Sequence, residues 1–374
     1  MTRTHLAAFL GLACVGLYGT SFGPAASTLA DDFGVSLDRA GLLVTLLFAG
    51  SISASGTIAL RTTFRDTRAM TAAGLILAAS GLVLLGLAGA WWMALVAALL
   101  IGTGDGLIVA GTHLSVAMSA RDVPSAINRL NLWFTFGAVA GPAWTGIALD
   151  AGAGRGLVYG VLALAIVPVV VFTLASPRMT PRPRSEHHPA APMSPVAWAM
   201  AAVLFLYVGA EFGLGLWVAS YATDVAGASI AGGALMTSGY WGALAAGRFT
   251  SGRLLEAGRD PGGVLITVIC GAGAASVGLA LAGGSIAVAT TAAVATGFFF
   301  GPVWPAAMAV ASRESPEGAP AALVTVGNAG GLAFPWLQGR LLVSAGPGTG
   351  VAMTAALCAG MLALGLPAVR RSRR

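Results

Sequence analysis

The sequence predicts an all-α membrane protein in which twelve transmembrane helices form two pseudo-symmetric six-helix bundles. Hydrophobic residues make up 57% of the 374 residues and charged residues only 9%, which is too few charges to cover a soluble domain of this size. The apolar segments are continuous and long enough to cross a membrane, so they favour helices over the alternating strands of a barrel. The second half of the chain also repeats features of the first half.

The repeat holds a displacement of 192 or 193 residues over five separated segments. Single matches mean little in a chain with 53 Gly residues, but a constant displacement indicates an internal duplication. Duplicated helix bundles are a common architecture of secondary transporters. The matched pairs are Asp32 and Asp224, Gly41 and Gly233, Gly50 and Gly242, Arg61 and Arg253, Arg121 and Arg313, Gly137 and Gly330, Pro142 and Pro335, and Gly146 and Gly339.

Twelve apolar segments account for most of the chain, and nearly all reach the roughly 20 residues that a membrane-spanning helix needs. Several prolines fall within these segments and are expected to interrupt the helices, namely Pro24, Pro142, Pro302, Pro305 and Pro335. The predicted helices lie near residues 6–30, 39–60, 69–89, 91–118, 126–149, 155–175, 196–222, 231–253, 262–282, 285–311, 318–343 and 348–368.

A Pro-rich basic stretch separates the two copies and is typical of a linker. We therefore expect an N-terminal bundle at 1–176, a cytoplasmic linker at 177–195, and a C-terminal bundle with a short basic tail at 196–374.

The positive charges predict the orientation of the helices. All 20 basic residues are Arg, and with the N-terminus inside, 17 of them fall on the cytoplasmic side. Only Arg39, Arg155 and Arg340 fall outside. This asymmetry predicts a multi-pass protein of the bacterial inner membrane with both termini in the cytoplasm.

Composition and motifs exclude several other functions. The chain lacks Lys and has no nucleotide-binding loop, and its basic residues are not clustered on a solvated domain as nucleic-acid binding requires. Cys14, Cys270 and Cys358 lie far apart in apolar segments and suggest neither disulfides nor a metal site. We expect no enzymatic activity, no metal and no cofactor. The expected partners are a small-molecule solute and the bilayer, with a proton or possibly sodium as coupling ion, for a protein that acts as a monomer.

Two acids fall well inside predicted helices: Asp105 in the fourth and Glu211 in the seventh. An Asp at the centre of a membrane helix costs about 2.5–3.5 kcal/mol on insertion scales, so such residues usually face a cavity or a partner. We expect either acid to bind solute or carry a proton. The alternative is a structural hydrogen bond to a neighbouring helix.

Several motifs resemble the major facilitator superfamily, in particular its fucose:proton symporter branch and sodium/glucose-transporter-like relatives. The seventh helix carries Tyr207-Val208-Gly209-Ala210-Glu211 followed by Trp217, the fifth carries Asn131-Leu132-Trp133-Phe134, and the eleventh carries Gly330-Gly331 and Pro335. The eighth helix ends in Gly247-Arg248-Phe249-Thr250-Ser251-Gly252-Arg253, which is similar to the family's inner-loop signature. The equivalent loop at 56–68 lacks the usual acid.

The resemblance implies two sets of functional residues. Besides Glu211 and Asp105, the solute or proton site would draw on His113, because His can bond a hydroxyl or titrate near neutral pH, and on aromatic and amide groups suited to sugars. These are Tyr18, Asn131, Tyr207, Trp217, Trp304 and Asn328. The inner-loop signature implies gating roles for Arg61, Arg248 and Arg253.

The sequence thus favours a secondary transporter of a small polar solute, such as a sugar, by proton symport with alternating access. One alternative is a proton-coupled efflux antiporter, since Gly137-x-x-x-Gly141-Pro142-x-x-x-Gly146 approaches the signature of the antiporter branches. The other is a membrane receptor or assembly partner that transports nothing.

Overall fold

The regular elements of the described chain are all helices. The computed structural model describes residues 3–60, 66–120, 122–178, 193–315 and 319–373. The helices are α1 (Arg3–Gly19), α2 (Phe22–Phe33), α3 (Leu37–Leu60), α4 (Thr67–Leu87), α5 (Trp91–Ser119), α6 (Val123–Asp150), α7 (Arg155–Leu174), α8 (Pro195–Asp224), α9 (Ile230–Glu256), α10 (Pro261–Ala280), α11 (Ile286–Phe300), α12 (Val303–Glu314), α13 (Ala319–Ala345) and α14 (Pro347–Ser372).

These helices correspond to the twelve predicted segments, two of which are broken. Within the described residues, nine helical segments are long and apolar enough to cross a membrane, or ten when the bent pair α1 and α2 counts as one span. The helices α9 and α13, with 27 residues each, complete the set by length. The prediction of an all-α, multi-pass membrane fold is confirmed.

The prolines do not all interrupt helices as expected. Pro142 and Pro335 lie inside continuous helices, and Pro24 and Pro305 lie near the starts of α2 and α12, where a missing N–H breaks no helical bond. Only Pro302 marks a break, between α11 and α12.

The other break, between α1 and α2, involves no proline and bends the chain by 44°. The hydroxyl oxygen of Thr20 lies 2.9 Å from the carbonyl oxygen of Gly16 and 3.1 Å from that of Ala138, so its single hydrogen can be donated to either, and Ser21 donates to the carbonyl of Tyr18 (2.7 Å). The carbonyls of Gly16 and Tyr18 also accept the backbone N–H groups of Thr20 (3.3 Å) and Ser21 (3.2 Å), whereas the carbonyl of Ala138 lies one turn before Pro142, which has no N–H to donate. The hydroxyl groups therefore supplement the backbone hydrogen bonds at a place where no water is available to do so.

The helices cluster into two compact units. One comprises Met1–Ser36 and Leu42–Glu186, and the other comprises Leu37–Gly41 and His187–Arg374. Most of the predicted linker, 177–195, lies outside the described residues, so its boundaries stay a prediction.

Within each unit, the same pair of repeated glycines lets two helices touch through their backbones. In the first unit, a Cβ at Gly137 of α6 would overlap the carbonyl oxygen of Ala13 in α1. In the second unit, a Cβ at Gly330 of α13 would overlap the carbonyl oxygen of Phe205 in α8. Small residues at helix contacts compensate for the absence of a hydrophobic driving force in lipid. The repeat detected in the sequence therefore has a packing function that each unit reproduces.

Each unit also has an aspartate that caps its third spanning helix and pairs with an arginine beyond the end of its sixth. Asp66 accepts the backbone N–H of Arg68 (3.0 Å) and lies 3.9 Å from the Nε of Arg178. Asp260 accepts the backbone N–H of Gly263 (2.8 Å) and the guanidinium of Arg373. Negative charge at a helix N-terminus also complements the helix dipole.

The Asp260 pair predicts a small loss of stability in acid. Its hydrogen bond from Arg373 is the main reason that the pKa of Asp260 lies below its ordinary value. Because the folded protein holds this proton less readily than the unfolded chain, the pair stabilises the fold above the unfolded pKa of about 3.9 and stops doing so as the pH falls through the lower, folded pKa.

We expect Asp260→Asn and Arg373→Gln each to lower stability at pH 7 by less than about 1 kcal/mol, since the pair is largely exposed. The difference between either variant and the parent should shrink as the pH falls from about 3.9 towards the lower, folded pKa of Asp260. Thermal melting of the three proteins from pH 7 down through this range checks this. A difference that grew in acid would contradict it.

Candidate functional site

The acid of the first unit, Asp105, lies midway along α5 and is half-buried. Ser51 of α3 donates a hydrogen bond of 2.7 Å to its Oδ2, and Tyr18 of α1 donates one of 3.4 Å to its Oδ1. A Cβ at Gly106 would overlap the carbonyl oxygen of Ser51, so the glycine allows the approach that brings this hydroxyl to the carboxylate. Among the described residues, Asp105 has no ion-pair partner.

Tyr18 is the predicted site residue that the structure joins directly to Asp105. It is fully buried and lies at the end of α1, immediately before the break. The break between α1 and α2 therefore lies next to the phenol group that contacts Asp105.

His113 and Asn131 are not joined to Asp105 by a hydrogen bond. The Nδ1 of His113 lies 2.8 Å from the carbonyl oxygen of Val109. A carbonyl can only accept, so Nδ1 carries the proton and, in neutral His113, Nε2 is an acceptor. Asn131 is half-buried on α6, and its backbone carbonyl accepts from Thr135 (3.1 Å). Both remain candidate solute contacts by prediction.

The acid of the second unit, Glu211, is only 3% exposed on α8 and forms an ion pair. Its Oε1 accepts a 2.9 Å hydrogen bond from the guanidinium of Arg248 on α9. Tyr240, also on α9, donates to the backbone carbonyl of Glu211 at 2.9 Å. The side chain of Arg248 keeps 20% of its surface exposed. The carboxylate of the ion pair is therefore buried, whereas its arginine is partly accessible.

Tyr207 lies one helical turn before Glu211 and supplies an unused polar group. Its ring packs edge-on against Phe300 of α11 (centroids 5.6 Å apart) and at an angle against Trp304 of α12 (6.4 Å). Its hydroxyl is near enough to Glu211 and Arg248 to interact with both, but it makes no hydrogen bond of normal geometry in the described structure. An unpaired buried hydroxyl is unfavourable and usually has a reason.

The remaining predicted contacts of the second unit lie apart from the ion pair. Asn328 is half-buried on α13, directly after Gly327, whose Cβ position is 3.3 Å from the Trp304 ring. Trp217 is fully buried, and its indole N–H donates to the carbonyl of Pro335 at 2.7 Å. In this structure Trp217 therefore connects α8 to α13, and its polar group is not available to a solute.

The three predicted gating arginines have different surroundings. Arg248 belongs to the buried pair. Arg253 is exposed and lies over the ring of Phe249, 4.6 Å from its centroid. Arg61 lies outside the described residues. Gating by these residues stays a prediction.

The structure adds two polar residues that the sequence did not single out as partners. Ser51 follows the repeated Gly50, but a lone serine in an apolar helix carries no signal of its own. Gln338 is an amide within the eleventh predicted helix. It is fully buried on α13, where its amide donates to Thr354 (3.2 Å) while its carbonyl oxygen has no partner in the described chain.

The two acidic clusters occupy equivalent helices of the two units. Each is built on the first, second and fourth spanning segments of its unit. In the first unit these segments supply Tyr18, Ser51 and Asp105. In the second unit they supply Glu211, Arg248 and Phe300, and Phe300 packs against Tyr207. Tyr18 and Glu211 are separated by the repeat displacement of 193 residues. The two units therefore place their acidic clusters on equivalent helices but with different charges. Within the described residues, no group of three or more His, Cys, Asp or Glu could hold a metal ion.

Solved structures of transporters share this fold. A bacterial homolog of the human lysosomal transporter Spinster, crystallised inward-facing and unoccupied, is 16% identical with a TM-score of 0.77, and the match covers 98% of this chain and 96% of that one. A POT family transporter in complex with 5-aminolevulinic acid is 13% identical with a TM-score of 0.80, covering 100% of this chain and 97% of that one.

Sequence comparison gives the family. No curated protein matches the chain significantly. Residues 8–335, however, match the Major Facilitator Superfamily. This match shows that the chain is a transporter and not an enzyme, and that it belongs to the Major Facilitator Superfamily of secondary transporters.

Proposed function

We propose that the protein moves a small polar solute, such as a sugar or a related metabolite, together with a proton by alternating access. The arrangement of Asp105 is the observation that carries this proposal. Protonation of a carboxylate held only by hydroxyl groups removes a charge from the membrane interior and leaves no cation unpaired. Asp105 can therefore change its protonation state without the penalty that applies to an ion pair.

The motifs similar to those of the fucose:proton symporter branch support a sugar or sugar-like solute. Of these motifs, the Tyr207–Glu211 stretch places a carboxylate, a hydroxyl without a hydrogen bond of normal geometry, and two aromatic rings close together. Polar groups beside aromatic faces suit a solute with polar edges and an apolar face.

The distribution of arginines supports a bacterial inner membrane location with both termini in the cytoplasm. A fluorescent protein fused to the C-terminus should therefore fold and fluoresce, whereas an alkaline phosphatase fusion at the same point should be inactive. The reverse pattern would overturn the orientation.

Replacing Asp105 with Asn tests the proton coupling. In proteoliposomes containing purified Asp105→Asn, accumulation driven by a proton gradient should fall to background, because Asn carries no titratable proton. Exchange of labelled for unlabelled solute should persist, since it needs no net proton movement. Ser51→Ala keeps the acid and serves as the matched control, with reduced but measurable accumulation. Full accumulation by Asp105→Asn would refute the role of this acid.

A proton-coupled efflux antiporter is the second candidate, and the aromatic surroundings of Tyr207 favour it. Phe205 and Phe334 form a further edge-on pair between α8 and α13 (5.2 Å), which would suit an apolar cargo. The direction of the coupled proton movement separates the two functions: solute entering proteoliposomes carries protons in during symport and drives them out during antiport.

A further inference from the structure

The ion pair between Glu211 and Arg248 is neutral as a whole, and its two members are unequally covered. Glu211 is 3% exposed, whereas the side chain of Arg248 is 20% exposed. A guanidinium has five N–H donors, and the 2.9 Å hydrogen bond to Glu211 uses only one of them. The hydroxyl of Tyr207 lies beside the guanidinium but makes no hydrogen bond of normal geometry with it. Arg248 therefore has donors to spare on its open side.

We propose that Arg248 binds the carboxylate of the transported solute, and that Glu211 frees Arg248 for this by taking up a proton. This inference rests on the proposed proton symport and gives its solute a chemical class: a small monocarboxylate, such as a sugar acid or a hydroxy acid. Planar guanidinium groups pair with carboxylates through two parallel hydrogen bonds, which is the geometry that the unused donors of Arg248 allow.

Charge balance makes the two binding events depend on each other. One proton from solution binds an Oε atom of Glu211, the hydrogen bond to Arg248 breaks, and the solute carboxylate accepts N–H groups of Arg248 in its place. The site holds one cation and one anion before and after the exchange. A carboxylate without the proton would leave Glu211 unpaired, and a proton without the carboxylate would leave Arg248 unpaired, and either is strongly unfavourable in a buried site.

The surroundings of Glu211 supply no second cation that could replace Arg248. The titratable groups that face the pair are Tyr207 on the same helix, Tyr240 on α9 and, beside Tyr240, Cys358 on α14. In the described chain, no other charged side chain interacts with Glu211 from the helices packed against α8.

Two residues beside the ion pair suit a solute that has a carboxylate and further polar groups. The hydroxyl of Tyr207 has no partner of normal geometry and lies beside both charged groups, so it can donate to the incoming solute. Tyr240 holds the backbone carbonyl of Glu211, which keeps α8 in place while the ion pair opens. Binding of a solute carboxylate would thus account both for the hydroxyl of Tyr207, which makes no hydrogen bond of normal geometry, and for the unused guanidinium donors of Arg248.

Removing Glu211 gives a test that does not require the natural solute. In Glu211→Ala, Arg248 is left without its anion, and sodium acetate should bind there. We expect a saturable rise in melting temperature of about 2–4 °C relative to sodium chloride. The double variant Glu211→Ala/Arg248→Ala should show no such rise. Glu211→Gln, which keeps the side-chain volume, is measured in parallel in case the Ala variant does not fold. Equal effects of acetate and chloride in both single variants would overturn the carboxylate site.

Transport assays with matched probes test the coupling. In proteoliposomes containing a pH-sensitive dye, D-gluconate and L-lactate should carry protons inward, whereas D-glucose and glycerol should not. Carboxylate affinity should rise about tenfold for each pH unit of acidification, because one proton binds Glu211 with each carboxylate. The proton on Asp105 is needed for the change of access and does not enter this binding equilibrium. Arg248→Gln should weaken the carboxylate affinity about 100-fold, and Glu211→Gln should remove the pH dependence of that affinity.

The outcomes separate this inference from the proposed function. Proton entry driven by D-glucose but not by the carboxylates would overturn the inference and leave proton symport standing. Saturable acetate binding to Glu211→Ala without coupled proton movement by any probe would overturn proton symport and keep the carboxylate site.

Discussion

Replacing Arg248 alone with Met should destabilise the protein by about 3 kcal/mol, because it leaves the carboxylate of Glu211 buried without a counter-ion. The 3% exposure of Glu211 prevents water from compensating the charge. Replacing both residues, in Glu211→Met/Arg248→Met, should restore most of the loss, since a buried ion pair contributes little net stability relative to apolar side chains. Denaturation in mixed micelles of increasing SDS fraction gives the free energies of all four proteins.

The double-mutant cycle isolates the interaction between the two side chains. Arg253→Met is the matched control on the same helix. That side chain is exposed and lies over the ring of Phe249, so its replacement should lower stability by less than about 1 kcal/mol. Single and double variants whose losses simply add would show that Glu211 and Arg248 do not depend on each other.

Hydropathy was enough to predict the helices, because a span must be continuous and apolar over a fixed length. It did not predict where a span breaks. The segment expected at 6–30 divides at Thr20 and Ser21, whose hydroxyl groups contact nearby carbonyl oxygens, including that of Ala138 on α6. Hydrogen-bond partners of this kind are brought together by helix packing and leave no periodic pattern in the sequence.

The acids of the candidate site were predictable for a similar reason, since a charge in an apolar helix is conspicuous. Their partners were not. Ser51 and Arg248 contact Asp105 and Glu211 across 54 and 37 residues of chain, and no local pattern relates them. Arg248 was expected at a gate because its motif resembles an inner-loop signature, and only the structure shows the carboxylate beside it.

The largest effect on packing should come from Gly137 and Gly330, one of the glycine pairs in the repeat. A side chain at Gly330 would overlap the backbone of Phe205, and one at Gly137 would overlap the backbone of Ala13. A backbone cannot yield as a flexible side chain can, so the helices would have to separate along their contact. We expect Gly330→Leu and Gly137→Leu each to destabilise the protein by about 3 kcal/mol or more, and to do so to a similar extent.

Matched positions exist where the same change should be tolerated. Gly252 in α9 and Gly160 in α7 have no atom within 4 Å of a Cβ, and glycine is a poor helix former, so Leu at either position should be neutral or stabilising by up to about 1 kcal/mol. SDS denaturation of the four variants compares one contact and one control in each unit. If Gly330→Leu were as stable as Gly252→Leu, α8 and α13 would not be in backbone contact, and the agreement between the sequence repeat and the packing of the two units would be lost.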